Sequence, residues 1–265
     1  MKILLTGTTG TIAPHIVDLL KEFNYKLYEI SRRESKITKS IVFLEYINKL
    51  EISSIKKKVG TLDVIIHCAA LTRSTNMNAL FKANQKFTKE IVDLGVNLNC
   101  KKFIFLSSDL VHCLDSNYGI SKKQCEEIIK NSDLKNWTIL RLSTFIDLVK
   151  ENSNSSIGRL IRKSYNHPLI LPIAGEFFIY PINPTDIKNV IRDQINHLKS
   201  IKSIINLRGD KIMLKDLILK FNPRVKIIRV PKFILLICLL LVTPFRRKIE
   251  SYSVLKSIYK NTNKV

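Results

Sequence analysis

The sequence predicts an α/β fold: a doubly wound parallel sheet with a small, irregular C-terminal part. Three features predict it. An apolar run at residues 2–6 turns directly into a glycine loop. Short apolar runs then alternate with stretches of helical periodicity as far as Leu142. Beyond it, Pro168, Pro172, Pro181 and Pro184 break the rhythm. Strands alternating with helices give a parallel sheet covered on both faces.

Each element has its own signature. Residues 2–6 read as a buried strand. Residues 11–24 carry Ile12, Ile16, Leu19, Leu20 and Phe23 at helical spacing. Pro14 fits the first turn of that helix, where its missing N–H would be unbonded anyway. Residues 26–30 are a second strand, 40–44 a weaker third, and 63–67 (Asp-Val-Ile-Ile-His) a fourth. A helix follows over 80–96. Residues 102–107 contain Phe-Ile-Phe-Leu, the continuous apolar run of a strand buried on both faces. A helix over 121–131 and a strand over 138–142 end the regular part. Further on, 185–198 and 214–221 read as helices and 225–230 as a strand. The chain thus divides into 1–145 and a second part, 146–265, interleaved with the last sheet elements.

Composition narrows the class. The chain has 265 residues, 45% of them hydrophobic, which is too apolar for disorder. Five cysteines without a Cys-x-x-Cys pair, and five histidines without a His-Glu-x-x-His pattern, argue against a disulfide framework and against a metal site. A reducing, cytoplasmic setting without a cleavable targeting segment is expected. The 44 Lys+Arg against 22 Asp+Glu leave a net charge of +22, which favours anionic ligands. The basic residues are spread along the chain and no nucleic-acid motif is present, so a nucleic-acid partner is not expected. Residues 233–245 form an apolar run shorter than the ~20 residues a spanning helix needs. They read as a buried helix. The alternative is a peripheral anchor over 233–248 at the inner membrane face, with Arg246, Arg247 and Lys248 meeting anionic head groups.

The loop Thr6-Gly7-Thr8-Thr9-Gly10-Thr11-Ile12-Ala13 follows a strand and opens a helix. Gly7 permits a tight turn, and Gly10 lets the backbone approach a pyrophosphate that meets the free N–H groups of the helix start. Gly7, Thr9, Gly10, Thr11 and Ile12 are therefore candidate contacts to a dinucleotide, and the fold is Rossmann-like. The second strand ends Ile30-Ser31-Arg32-Arg33. Ser31 leaves room for a ribose phosphate and Arg32 can pair with it, which favours NADP and leaves NAD as the alternative. Glu29 opposes that reading if the strand ends earlier.

In its motifs the chain resembles the short-chain dehydrogenase/reductase superfamily, in the extended, NAD-dependent epimerase/dehydratase-like branch. The loop is similar to the family's Thr-Gly-x-x-Gly-x-x-Gly, with Ala13 for the last glycine. His67-Cys68-Ala69-Ala70 resembles the segment that lines the cofactor, which makes Cys68, Ala69 and Ala70 further cofactor contacts. Asn84, four residues before Thr88, resembles the helix asparagine that supports the catalytic lysine. Ser108 resembles the catalytic serine. Tyr118-Gly119-Ile120-Ser121-Lys122 resembles the Tyr-x-x-x-Lys motif, whose spacing puts phenol and ammonium on one helix face. Nine residues lie between Ser108 and Tyr118, fewer than is usual in the family.

The resemblance implies a chemistry. A tyrosine of pKa near 10 is a poor base at neutral pH. Lys122 and the nicotinamide charge would stabilise its phenolate. Tyr118 would then take or give the proton of a sugar hydroxyl held by Ser108, while hydride passes to or from the nicotinamide. The expected protein is an NAD(P)-dependent reductase or epimerase of a nucleotide-linked sugar, and family resemblance implies a homodimer. A dehydratase is disfavoured, since Asp109 is the one acid beside Ser108. Rival readings are a noncatalytic NADP-binding sensor or structural protein, and a membrane-associated lipid reductase. In the second part, Asp186 is expected to cap the helix after it, Arg141 to be structural, and Arg159, Arg162 and Lys163 to face either a diphosphate or solvent.

Overall fold

A computed structural model of the chain describes residues 1–32, 41–46, 49–72, 74, 76–113, 116–147, 156–172, 178–198, 201–230 and 234. The first part runs β1 (Lys2–Thr6), α1 (Ala13–Lys21), β2 (Lys26–Ser31), β3 (Val42–Glu45), α2 (Ile52–Val59), β4 (Val64–His67), α3 (Met77–Asn97) and β5 (Lys102–Ser108). A 3-10 turn (Asp109–His112), α4 (Asn117–Lys130) and β6 (Trp137–Leu142) follow. The second part contains β7 (Thr144–Phe145), α5 (Ser156–Ser164), β8 (Leu169–Pro172), β9 (Phe178–Ile179), β10 (Pro181–Ile182) and α6 (Pro184–Asn196). It ends with β11 (Lys202–Leu207), β12 (Ile212–Met213), α7 (Leu214–Phe221) and β13 (Ile227–Val230).

Seven parallel strands form the central sheet in the order β11-β6-β5-β4-β1-β2-β3. Strand alternation divides its core. Leu4, Tyr28, Ile30, Ile65, Phe103, Phe105 and Ile139 face α2, α3 and α4, whereas Ile3, Leu5, Val64, Ile66, Ile104 and Leu140 face α1 and α6. A smaller core of Ile161, Leu169, Leu171, Leu214 and Ile218 belongs to the second part.

The register builds the site. Thr6 lies opposite Ile30 on one side and His67 on the other, and His67 lies opposite Phe105. The carboxyl ends of β2, β1, β4 and β5 therefore share one edge of the sheet. Strand order reverses direction at β1, and ligands of such sheets bind in the crevice at that point.

Helix α2 and strand β11 are among the elements that escape the periodicity. Helix α2 buries only Ile55 and Val59. Strand β11 is an edge strand whose residues alternate between exposed and half-buried, so its apolar content is thin. It is nevertheless the seventh strand of the sheet, contributed from beyond residue 145. Helix α4 begins four residues before the expected start, because Ser116 caps it by accepting the Gly119 N–H at 3.0 Å. Asn183, not Asp186, is the N-cap of α6: its side chain accepts the N–H groups of Thr185 and Asp186, and Asp186 accepts the Asn183 N–H in return. The apolar run 233–245 lies outside the described residues except for Ile234. Among the described residues no helix is long and apolar enough to cross a membrane.

Candidate active site

The loop between β1 and α1 is forced by glycine. Gly7 has φ +73°, and a Cβ on it would stand 2.5 Å from the Ala69 nitrogen and 2.6 Å from the Ala69 Cα. The loop therefore lies directly on the end of β4, beside Cys68, Ala69 and Ala70. The Gly10 N–H donates to the Gly7 carbonyl at 2.9 Å. No side chain caps the start of α1 at Ile12, and its first turn contains a proline and no acidic residue. Free N–H groups at an uncapped helix start attract an anion. Thr9 and Gly10 are exposed there, and Thr11 and Ile12 half-buried. Ala13 is 1% exposed and packs in the sheet core, so alanine fills the place of the family's last glycine.

At the end of β2, Ser31 is half-buried and Arg32 exposed. Glu29 is buried beneath the loop. One of its oxygens, Oε1, accepts from the Thr8 hydroxyl and, at 2.9 Å, from the Ser31 hydroxyl.

At the end of β4, the buried His67 ring stacks on Phe105, with centroids 5.4 Å apart. Its Nδ1 meets the Thr6 hydroxyl at 2.7 Å and its Nε2 the Thr88 hydroxyl at 3.0 Å. Burial and the Lys122 charge hold His67 well below the ordinary imidazole range, so it is neutral at pH 7. Thr6 also accepts the Ala69 N–H at 3.3 Å, which ties the cofactor-lining segment to β1.

Ser108 ends β5, and its Oγ accepts the Leu110 N–H at 3.2 Å, capping the 3-10 turn. Its hydroxyl proton remains available. Gly119 brings Tyr118 close to that turn: a Cβ on Gly119 would stand 2.0 Å from the Leu110 carbonyl oxygen. The short segment between Ser108 and Tyr118 is thus a turn and a helix start packed against each other. Tyr118 and Lys122 are one turn apart on α4. The Tyr118 hydroxyl has no hydrogen bond among the described residues, and burial pushes its pKa up to about 12.

Lys122 is buried, with Nζ 3.9 Å from the centroid of the Phe105 ring. Burial pulls its pKa down to about 8, opposed by Cys125, Cys68 and Glu126. Its ammonium also lacks a hydrogen bond among the described residues. The recorded partner of Lys122 is therefore the Phe105 ring and not the phenol. Asn84 grips the Leu71 backbone, accepting its N–H at 2.7 Å and donating to its carbonyl at 3.0 Å, and donates to the Ser121 hydroxyl at 2.9 Å. It reaches Lys122 only through the neighbouring Ser121.

Three residues that sequence reasoning left without a site role surround this centre. Buried Glu126 accepts from Ser107 at 2.6 Å and from both Nε and Nη2 of Arg141, at 3.0 and 2.7 Å. Arg141 also reaches His112 at 3.3 Å, which makes it structural, as expected. Arg208, beyond β11, forks onto Asp109. Thr8 joins the loop to Glu29. No spacing rule connects Arg208 to the motifs. Arg159 and Lys163 are exposed and Arg162 half-buried on α5, whose apolar residues pack into the separate core of the second part. Among the described residues, no cluster of three or more His, Cys, Asp or Glu could hold a metal ion.

The residues present fit a dinucleotide. The Gly7 position has no space for a side chain, the helix start is open to phosphate, and the Lys122 ammonium has hydrogen-bond donors to give. The fold agrees with known proteins. It superposes on MoeE5 in complex with UDP-glucose and NAD at a TM-score of 0.74, with 17% identity over 87% of this chain and 85% of that one. UDP-glucuronic acid 4-epimerase from Bacillus cereus in complex with NAD gives 0.72 and 20% over 87% and 86%. UDP-glucose 4-epimerase from Thermotoga maritima with UDP-glucose gives 0.72 and 18% over 87% and 86%. No curated protein matches the sequence. The family model for the NAD dependent epimerase/dehydratase family matches residues 3–172, which span the glycine loop, Ser108 and the Tyr118–Lys122 pair. The chain therefore belongs to the NAD dependent epimerase/dehydratase family and, with it, to the NAD(P)-dependent oxidoreductases and epimerases.

Proposed function

We propose that the chain is an NAD(P)-dependent epimerase or reductase of a nucleotide-linked sugar, with Tyr118 as its acid/base. The observation that carries this reading is the contact between α4 and the Ser108 turn, made close by Gly119. It packs the helix start that carries Tyr118 against the turn that Ser108 caps.

Each residue has a task. Ser108 keeps its hydroxyl proton for a substrate oxygen, because its lone pair already receives Leu110. Tyr118 exchanges a proton with that same oxygen. With a pKa of about 12 in the free protein it holds its proton, so it is first poised as an acid. Lys122 offers its unbonded ammonium to hydroxyls beside the crevice. A bound dinucleotide supplies the hydride chemistry that no side chain here can perform. Asn84 and Gly119 position; they do not react.

The sugar reading rests on the superposed relatives, whose complexes contain UDP-glucose and UDP-glucuronic acid. A dehydratase would need a free acid beside Ser108. Asp109 is bound in a fork by Arg208, which favours epimerase or reductase chemistry instead.

The test is direct. The purified protein is denatured, any nicotinamide dinucleotide released is identified, and UDP-sugars are screened for epimerisation and their 4-keto derivatives for reduction. Tyr118→Phe is expected to abolish turnover while still binding the dinucleotide. Full turnover in that variant would remove Tyr118 from the mechanism.

A further inference from the structure

We propose that the small unit built from α5, β8, α7 and β13 is a docking surface for an anionic phospholipid bilayer, on which the protein lies without spanning it. The proposal is independent of the catalytic reading above.

Charge singles this unit out. Residues 156–172 and 217–248 together contain eleven Lys and Arg and no Asp or Glu. At the average of the chain, 22 acidic residues in 265, about four would fall there. A general excess of lysine does not produce that gap, because what is missing is every negative neighbour. The described parts of the two stretches fold together. Strand β8 runs parallel to β13, with Leu169 opposite Ile227. Ile161, Leu169, Leu171 and Ile218 share one core. The Tyr165 hydroxyl donates to the Phe221 carbonyl at 2.8 Å.

Apolar side chains are exposed on the same unit. Tyr165, Phe221 and Ile228 are open to solvent, interleaved with exposed Lys220, Arg224 and Lys226. Tyrosine suits the boundary between head groups and acyl chains, and lysine can lay its stem on apolar surface while its charge meets phosphate. The sequence then continues from β13 into residues 233–245, which carry no charge, and on to Arg246, Arg247 and Lys248. Ile234, the described residue of that run, is exposed. An apolar segment and a basic cluster are the two signals that peripheral membrane binding needs.

The bilayer is the occupant that satisfies both features. A nucleic acid would meet the cations but offers nothing to Phe221, Ile228 or the run. A second copy of the chain would set two surfaces of like charge against each other. A run apolar at every position, rather than along one stripe, suits surroundings apolar on every side.

The experiment measures vesicle binding, not turnover. The full chain is floated with vesicles of phosphatidylcholine alone, or of phosphatidylcholine with phosphatidylglycerol, at low and high salt. Binding to the anionic vesicles, weakened by salt, is expected. Each basic residue near such a surface contributes about fivefold, so Lys220→Gln/Arg224→Gln/Lys226→Gln should lower partitioning about a hundredfold. Lys56→Gln/Lys57→Gln/Lys58→Gln removes the same charge from the exposed side of α2 and should lower it by less than about fivefold. Ile234→Asn should weaken binding about tenfold, the worth of one buried apolar side chain, and carries the test if the first triple variant does not fold. No binding to either vesicle, equal binding to both, or equal losses in the two triple variants would overturn the proposal. So would undiminished binding of Ile234→Asn, since a purely ionic surface takes any polyanion. Association of the chain with itself or with a nucleic acid in place of vesicles, abolished by the first triple variant, would give the surface another occupant and overturn it as well.

Discussion

Arg208 holds Asp109 in a two-bonded fork, Nε to Oδ2 at 3.0 Å and Nη2 to Oδ1 at 2.8 Å, across 99 residues of sequence. Asp109 directly follows Ser108. Arg208 directly follows β11, and its guanidinium also lies 5.4 Å from the centre of the Tyr180 ring. The fork therefore joins the turn that Ser108 caps to the end of the edge strand that the second part contributes. It spans the crevice end of the sheet from strand β5 to the edge strand.

Breaking that fork should cost activity more than stability. The Arg208 side chain is 47% exposed, and a pair so placed contributes no more than about 1 kcal/mol. Positioning is a steeper function of geometry, since small misplacements of a reacting group cost large factors in rate. Arg208→Ala is expected to lower the melting temperature only slightly and to reduce kcat by about tenfold or more. Arg208→Lys should rescue little, because an ammonium cannot fork. A variant with unchanged kcat would show that the turn holds Ser108 unaided.

Lys122 should leave a signature in the pH dependence of stability. Its pKa is about 8 in the folded protein and near 10.5 when solvated. Between these values the unfolded chain binds more protons than the folded one, so stability rises with pH across that window. Below about pH 8 both states carry the charge, and the folded state bears the full desolvation cost. The rise amounts to at most about 3 kcal/mol. Urea midpoints of the unaltered protein and Lys122→Met at pH 7.5 and pH 10 test this. The methionine variant should be the more stable at pH 7.5, and the gap should close at pH 10.

Legibility followed burial. Strands β1, β4 and β5 contain continuous apolar runs because both their faces are covered, and the sequence displays them plainly. Strand β11 has one free edge and helix α2 two buried positions, so neither carries a strong pattern. At the site, the glycine loop and the Tyr118–Lys122 spacing are local, and local geometry can be read from sequence. The Asp109–Arg208 fork is not local. Nor does periodicity reveal that Glu29, a charged residue in an apolar strand, is folded inward to engage Thr8 and Ser31.

Glu126 is the most exacting buried charge of the site. It satisfies Ser107 and both donor positions of Arg141; Glu126 and Ser107 are buried and the Arg141 side chain is 15% exposed. Removing one partner of such a pair typically costs 3–5 kcal/mol, because the other charge stays buried without compensation; Glu126→Ala is thus expected to lose about 3 kcal/mol or more. Glu126→Gln keeps an acceptor for Ser107 and should lose less. Chemical denaturation of the two variants checks the order. A loss below about 1 kcal/mol for Glu126→Ala would mean that water replaces the carboxylate.

Gly119 poses two opposing effects, and their sizes decide the sign. In an ordinary helix position Ala is better than Gly by about 1 kcal/mol, so Gly119→Ala should stabilise α4 if propensity ruled. A Cβ there would, however, stand 2.0 Å from the Leu110 carbonyl oxygen and 2.6 Å from its carbon. Both are backbone atoms of the turn that Ser108 caps, and neither can swing aside as a side-chain end would. Relief requires α4 and the turn to separate, which moves Tyr118 away from Ser108. Gly95 in α3 is the control: its Cβ would meet side chains alone, the methyl ends of Ile65 and Leu134 at 3.2 Å and the Phe103 ring at 3.5 Å. Gly119→Ala is expected to destabilise by about 2 kcal/mol or more and to abolish turnover, within the usual range for overpacking. Gly95→Ala should fall within about 1 kcal/mol of neutral and leave turnover intact. Equal stabilities for the two variants, measured by urea unfolding, would show that the contact between α4 and the turn yields freely and does not set the distance between Ser108 and Tyr118.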